Sequence, residues 1–437
     1  MLLLIGDTIG QTITEKIISN STGRYVHAGD TIDYLPVDTK FVNDPAVPQV
    51  ISDFEKEFKT ILGELYERPE IHKKEKTFVI LDHLSPSTSP EIANLFNRIK
   101  QFGRQYEIKV YKECEGIEHV LLAEDGKILP GEIVIATDSH ACTHGAIGAF
   151  AFGVGVKDMV CALATGHIYN FTVPETVKID LKGRLRKGVY AKDIILYVLG
   201  QMGESGCSEK VAEFTGNVIN KLSMDGRFTI ANMAVEMAAR TGIMNPDQKT
   251  IEYLESRTSD PYKISRSDKN ATYTEKRLFN VNQIEPQVAE PYSPANSKSI
   301  SELEGVKINK AFIGSCTNSR KDDLRSAAEI LKGKKVNDDV ELTVIPGTKN
   351  ILKWAEENGI LQIYIEAGAN IYPSSCGLCF GNNLGVLGAE DVCISSINRN
   401  YLGRAGDPKS KMYLASPATV AASAVYGEIT DPRKVTE

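Results

Sequence analysis

Short apolar runs alternate along this chain with longer amphipathic stretches. FVILDH (78–83), EIKVY (107–111) and EIVIATDSH (132–140) have the length and β-branched content of buried strands, whereas EIANLFNRIKQFG (91–103) spaces its apolar residues as a helix does. That rhythm predicts α/β layers on a mostly parallel sheet. A second unit starts near TVKIDLKG (176–183), a strand ending on glycine, followed by the helical spacing of AKDIILYVLGQMG (191–203). From Arg257 to about Ser301 the text turns rich in Ser, Asn, Lys and Pro, the composition of a connecting segment. A third unit follows it: KAFIGSC (310–316) as a strand, DDLRSAAEILKG (322–333) as a helix and ELTVIPG (341–347) as another strand. The expected fold class is therefore α/β, in three units at 1–170, 171–295 and 296–437.

Bulk composition narrows the function classes. At 437 residues and 42% hydrophobic, the chain has length for roughly three domains. Its formal charge of -7, with no Lys/Arg tail, disfavours a nucleic-acid partner. The apolar run Leu2–Ile5 lacks a preceding cationic region and falls far short of the ~20 residues that span a bilayer, so no membrane association and a cytoplasmic location are expected. Eight cysteines without the dense spacing of a disulfide scaffold suit a reducing compartment.

Candidate chemistry begins at PSSCGLCFG (373–381). Cys376 and Cys379 have the spacing of a redox pair or of half a zinc site, but no second Cys-x-x-Cys pair accompanies them and all seven histidines lie at or before position 167. A third reading joins them to Cys316 in IGSCTNSR, at the end of an expected strand. Three thiolates can hold three irons of a cubane cluster and leave the fourth open as a Lewis acid. Asp82-His83 and Asp138-Ser139-His140 each close an expected strand, where open α/β sheets build sites, and a carboxylate beside an imidazole suits acid/base work. Arg399 and Arg404, in the loop SSINRNYLGRAGDP (395–408), have the bidentate forks that bind carboxylates. Glycines 145, 148, 153 and 155 lack the third glycine of a dinucleotide fingerprint, with Asp158 standing there, and are read as close backbone packing.

With these residues in hand, the chain resembles the aconitase superfamily, and most closely its two-subunit branch, the large subunits of 3-isopropylmalate dehydratases and homoaconitases. GQTITEKIIS, LDHLSP, GIEHVLLAEDGKILPG, ATDSHACTHGAIGAFAFGVG, VAEFTG, SMDGRFTIANMAVEMAARTG, IGSCTNSR, VIPGT, SSCGLCFG and INRNYLGRAGDP occur in that family's order. The resemblance implies three α/β/α domains around a central cleft, an aconitase-like body lacking the swivelling fourth domain. It implies a [4Fe-4S] cluster on Cys316, Cys376 and Cys379. It also implies acid–histidine pairs at Asp82 with His83 and Asp138 with His140, a further catalytic histidine at His119 with Glu236 as its carboxylate partner, substrate contacts at Asn43, Ser139 and Asn232, and carboxylate binding at Arg399 and Arg404. The implied partner is a small subunit carrying the swivelling domain and a serine base. The implied reaction is dehydration and rehydration of a small hydroxy di- or tricarboxylate, most closely an isopropylmalate in leucine biosynthesis, with homoaconitate and dimethylmalate as alternatives. Ala141, Glu209 and Ser319 depart from the usual motifs and bear on the substrate. An iron-responsive RNA-binding protein and a cluster-free zinc protein are the rival classes.

Overall fold

A computed structural model describes residues 10–62, 70–381 and 383–435; the run Leu2–Ile5 lies outside them. Among the described residues a two-stranded antiparallel sheet, Thr31–Pro36 with His167–Thr172, accompanies three larger sheets. The first is five-stranded and wholly parallel, ordered Lys109–Tyr111, Thr77–Ile80, Thr39–Asn43, Ile133–Ala136, Phe150–Gly153. The second is four-stranded and parallel: Thr241–Met244, Val211–Thr215, Thr176–Lys182, Glu275–Asn280. The third has seven strands, of which Lys411–Ala415, Val392–Ser395, Lys310–Ile313, Glu341–Val344 and Asn370–Ile371 run parallel. Its antiparallel edge is Gln287–Ala289 and Ser297–Ser299.

Helices cover these sheets as the apolar spacing requires. Pro90–Tyr106 is N-capped by Ser89, whose hydroxyl accepts the Ile92 N–H at 3.3 Å, with proline in its first turn, and it buries Phe96, Ile99 and Phe102. Ala191–Met202 and Lys321–Leu331 occupy the two other expected helical stretches. Among the described residues no helix is long and apolar enough to cross a membrane.

Two expectations about segmentation are corrected. The polar stretch 257–301 is more than a connector: it supplies Glu275–Asn280, Gln287–Ala289 and Ser297–Ser299. Glu275–Asn280 is an edge strand with no fully buried residue, so its polar composition carries no penalty. Gln287–Ala289, placed by the sequence in the second unit, is fully buried and pairs with Lys411–Ala415 in the third sheet, so that transition precedes residue 287 and not 295.

The glycines behave as close packing requires at two positions. A Cβ on Gly145 would stand 1.8 Å from the Gly242 carbonyl oxygen, and one on Gly153 would stand 2.8 Å from that of Asp138.

Candidate active site

The loops leaving the C-terminal ends of parallel strands converge, as open α/β sheets favour. Asp82 and His83 follow Thr77–Ile80, Asp138 follows Ile133–Ala136, Cys316 follows Lys310–Ile313 and Arg399 follows Val392–Ser395. One small recess is lined by His83, His119, Asp138 and His140, by Cys316, Cys376 and Cys379, and by Arg399 and Arg404, with Ser315 and Phe380 between them.

Local geometry explains how each side chain is aimed. Asp44 accepts three successive backbone N–H groups, from Asp82 (3.4 Å), His83 (3.0 Å) and Leu84 (2.7 Å), and so fixes the turn carrying the first acid–histidine pair. Within that pair, His83 Nδ1 lies 2.7 Å from Asp82 Oδ1, and its Nε2 lies 3.5 Å from Asp138 Oδ2. Asp138 caps the turn Ser139–Ile147 by accepting the His140 N–H at 2.7 Å. Ser315 adopts φ +76°, a left-handed conformation uncommon for serine, immediately before Cys316. Cys376 donates its N–H to the Asp82 carbonyl at 2.9 Å, which ties the Cys-x-x-Cys turn of the third sheet to the first.

The histidine pairing differs from the expectation at Glu236. The expected Asp138–His140 pair is present, with His140 Nδ1 3.5 Å from Asp138 Oδ1, but His119 approaches the same oxygen more closely, Nε2 at 2.8 Å, and it is His140, not His119, that meets Glu236, Nε2 to Oε1 at 2.9 Å. Asp138 also accepts the His140 backbone N–H as a cap, and the His140 ring bridges the carboxylates of Asp138 and Glu236.

Charge is distributed unevenly. Burial works against ionisation of Asp138, but hydrogen bonds from His119, His140 and His83 hold its carboxyl well below the usual range. Burial likewise opposes charge on His83, yet Cys376, Asp82 and Asp138 hold its imidazole well above the ordinary value. Burial pulls His119 down. Glu236 stays low despite burial because Arg399 and His140 face it.

Polar side chains surround the three thiols. Asn232 Nδ2 lies 3.2 Å from Cys316 Sγ and also donates to Thr143 Oγ1 at 2.8 Å. Asn398 Nδ2 lies 3.5 Å from Cys316 Sγ, and its Oδ1 stands 3.7 Å from both Cys316 and Cys379 Sγ. Ser315 Oγ lies 3.5 Å from Cys379 Sγ, and Cys376 Sγ lies 3.6 Å from Asp82 Oδ2. Burial, then the charge of Cys379, pushes the Cys316 thiol up to about 12.

Two expected residues stand apart from the recess. Asn43 accepts the Thr137 hydroxyl at 3.1 Å, while Ser139 is exposed and lines a neighbouring open groove with Asp138 and Arg240. Four residues of the site went unread in the sequence: Asp44, Glu118, Ser315 and Asn398. Glu118 is fully buried, with His119 Nε2 3.4 Å from Oε1 but no hydrogen bond to either carboxyl oxygen among the described residues, and burial with the nearby charges of Asp82 and Asp138 raises it well above the usual range. Each of the four adjoins a flagged residue, which was the available signal.

An α/β body with thiols, imidazoles and guanidinium groups gathered at its parallel strand ends defines the class. The chain belongs to the aconitase family (aconitate hydratase), whose model matches residues 15–305 and 297–427. It is 44% identical over 98% of its length, and 99% of the relative's, to the 3-isopropylmalate dehydratase large subunit of Hydrogenobaculum sp.. It is 43% identical over 98% of both chains to that of Aquifex aeolicus, and 41% identical over 97% of this chain and 99% of the other to 3-isopropylmalate dehydratase large subunit 1 of Methanopyrus kandleri. The crystal structure of Thermococcus kodakaraensis aconitase X (holo-form) aligns over 100% of each chain at 12% identity and TM-score 0.48.

Proposed function

We propose that this chain is the large subunit of a cytoplasmic iron–sulfur hydro-lyase that interconverts 2- and 3-isopropylmalate by dehydration and rehydration, in leucine biosynthesis. The observation carrying this is the convergence of three thiols, two acid–histidine pairs and two arginines on one recess.

Cys316, Cys376 and Cys379 would hold a [4Fe-4S] cluster, and their surroundings suit it. The amide donors of Asn232 and Asn398 meet the Cys316 sulfur, where they favour a thiolate over the thiol that burial otherwise enforces. When bound, the iron lacking a protein ligand supplies a Lewis acid for the substrate hydroxyl.

The chain's own groups do the rest. Arg404, whose Nε is buried without a hydrogen-bond partner among the described residues, and Arg399, anchored on Glu236, would take the substrate carboxylates as bidentate forks. His83, held protonated between Asp82 and Asp138, would donate its proton to the departing hydroxyl and regain one on rehydration. His119, kept neutral, orients Asp138. The base that removes the α-proton would come from a serine on a swivelling small subunit.

Anaerobic reconstitution with iron and sulfide tests this, with the small subunit present and 2-isopropylmalate, homocitrate and maleate as substrates. Visible cluster absorption with turnover of isopropylmalate ahead of the others is expected. A protein that stays colourless overturns the cluster assignment, and preference for homocitrate or maleate overturns the substrate.

A further inference from the structure

Lys192 stands in the first turn of Ala191–Met202 with no exposed surface, and among the described residues no carboxylate forms an ion pair with it. A buried lysine without a counter-ion needs another account. Its Nζ donates to the carbonyl oxygens of Ser396 (3.1 Å) and Ile397 (2.8 Å) and approaches Met233 Sδ at 3.7 Å, so all three donors point at one place. Those two carbonyls immediately precede Asn398, which contacts the Cys316 and Cys379 sulfurs, and Arg399, which is bound to Glu236. Ser396 also accepts the Gly314 N–H and donates to the Gly314 carbonyl, in the turn that delivers Cys316. Met233 adjoins Asn232. Three segments that reach the recess thus meet at one ammonium group.

We propose that Lys192 is a positioning residue: by donating to the Ser396 and Ile397 carbonyls it fixes the loop that packs Asn398 against two cysteines and aims Arg399 into the recess. Its catalytic consequence rests on the function proposed above; the placement of the thiols does not. Without those donors two buried carbonyls lose their partners and the loop can relax.

The test reads the metal-free chain, so it succeeds or fails independently of the cluster. Alkylation rates of individual cysteines are followed by peptide mass spectrometry in Lys192→Met and Lys192→Arg, well below each variant's melting midpoint. Cys207, buried elsewhere, is the internal reference. In Lys192→Met, Cys316 and Cys379 should react about tenfold faster relative to Cys207, the mark of local opening, and Lys192→Arg should restore most of the protection. If Lys192→Met does not fold, Lys192→Gln replaces it and should accelerate the same two cysteines less. In the reconstituted two-subunit enzyme, KM should rise more than kcat falls, because Arg399 shifts. Unchanged ratios, or acceleration of all cysteines including Cys207, would overturn the proposal.

Discussion

Arg399 Nε donates to both carboxylate oxygens of Glu236, at 2.9 and 3.0 Å, and its terminal nitrogens make no hydrogen bond among the described residues. The same carboxylate receives His140. One buried anion therefore aims a cation and an imidazole at once. Glu236→Gln preserves the shape and removes the charge. In the reconstituted two-subunit enzyme we expect kcat/KM to fall by about 10²- to 10³-fold while cluster absorption is retained. A loss under threefold would show that Arg399 and His140 are held by other means.

Not every buried cysteine reaches the site. Cys316, Cys376 and Cys379 line the recess, whereas Cys207 and Cys393, also buried, do not. Serine at any of the first three should abolish stable cluster incorporation, and serine at Cys207 should leave it intact. Iron and sulfide counts per chain after anaerobic reconstitution decide this, and a full complement in Cys376→Ser would remove that residue from the ligand set.

Much of this site was legible because strand ends are. A short β-branched run closing on Asp-His or on Gly-Ser-Cys marks a place where a parallel sheet presents side chains, and the three such ends at Asp82, Asp138 and Cys316 all reach the recess. The longer-range partners of His119 and His140 were not legible. The Asp82–His83 and Asp138–His140 pairs follow from adjacency in sequence, but that His119 takes Asp138 and His140 takes Glu236 comes from contacts 19 and 96 residues apart, which chain spacing cannot reveal. Lys192 was hidden for a related reason: in AKDIILY it looks like a solvated helix position, and only the loop 396–397 arriving from another sheet buries it. The edge strand Glu275–Asn280 was missed because exposure lets it keep a loop's composition.

Three histidines near Phe41 and Asp138, His83, His119 and His144, differ in charge. His83 is held up by Cys376, Asp82 and Asp138 against the effect of burial, whereas burial drives His119 down and, with His119 and Arg320 nearby, drives His144 well below its ordinary value. Long-range ¹H–¹⁵N spectra of histidine-labelled, metal-free protein at neutral pH should show His83 as the imidazolium and His119 and His144 as neutral rings. A neutral His83 would remove its assignment as the proton donor.

Asp193 neighbours Lys192 and ties the helix Ala191–Met202 to the third sheet by accepting the Gln287 and Tyr190 N–H groups, each at 2.8 Å. Burial raises its carboxyl from 3.8 to about 7, against those hydrogen bonds. Because the folded value lies above the unfolded one, the group's stabilising contribution is complete below about pH 3.8 and is lost as pH rises through about 7. Asp193→Asn cannot ionise. Between pH 4 and 8 its unfolding free energy, from urea titrations, should decline less than that of the parent protein, by roughly 1–3 kcal/mol. Parallel pH profiles for the two proteins would show that Asp193 titrates normally.

Gly145 and Gly155 stand ten residues apart in one motif, and the structure gives them opposite tolerance. A Cβ at 145 would be driven into the Gly242 backbone carbonyl at 1.8 Å, and neither that oxygen, on the strand Thr241–Met244, nor the turn Ser139–Ile147 can withdraw without moving His140 and its neighbours. At Gly155 nothing lies within 4 Å and φ is -71°, ordinary for any L-residue at a helix N-cap. Gly145→Ala should therefore cost about 3 kcal/mol or more and lower activity even where the protein remains folded, because strain reaches the turn that carries the site. Gly155→Ala should lie within about 1 kcal/mol of the parent. Equal melting midpoints for the two variants would mean that the first and second sheets approach each other less closely than the distance to Gly242 requires.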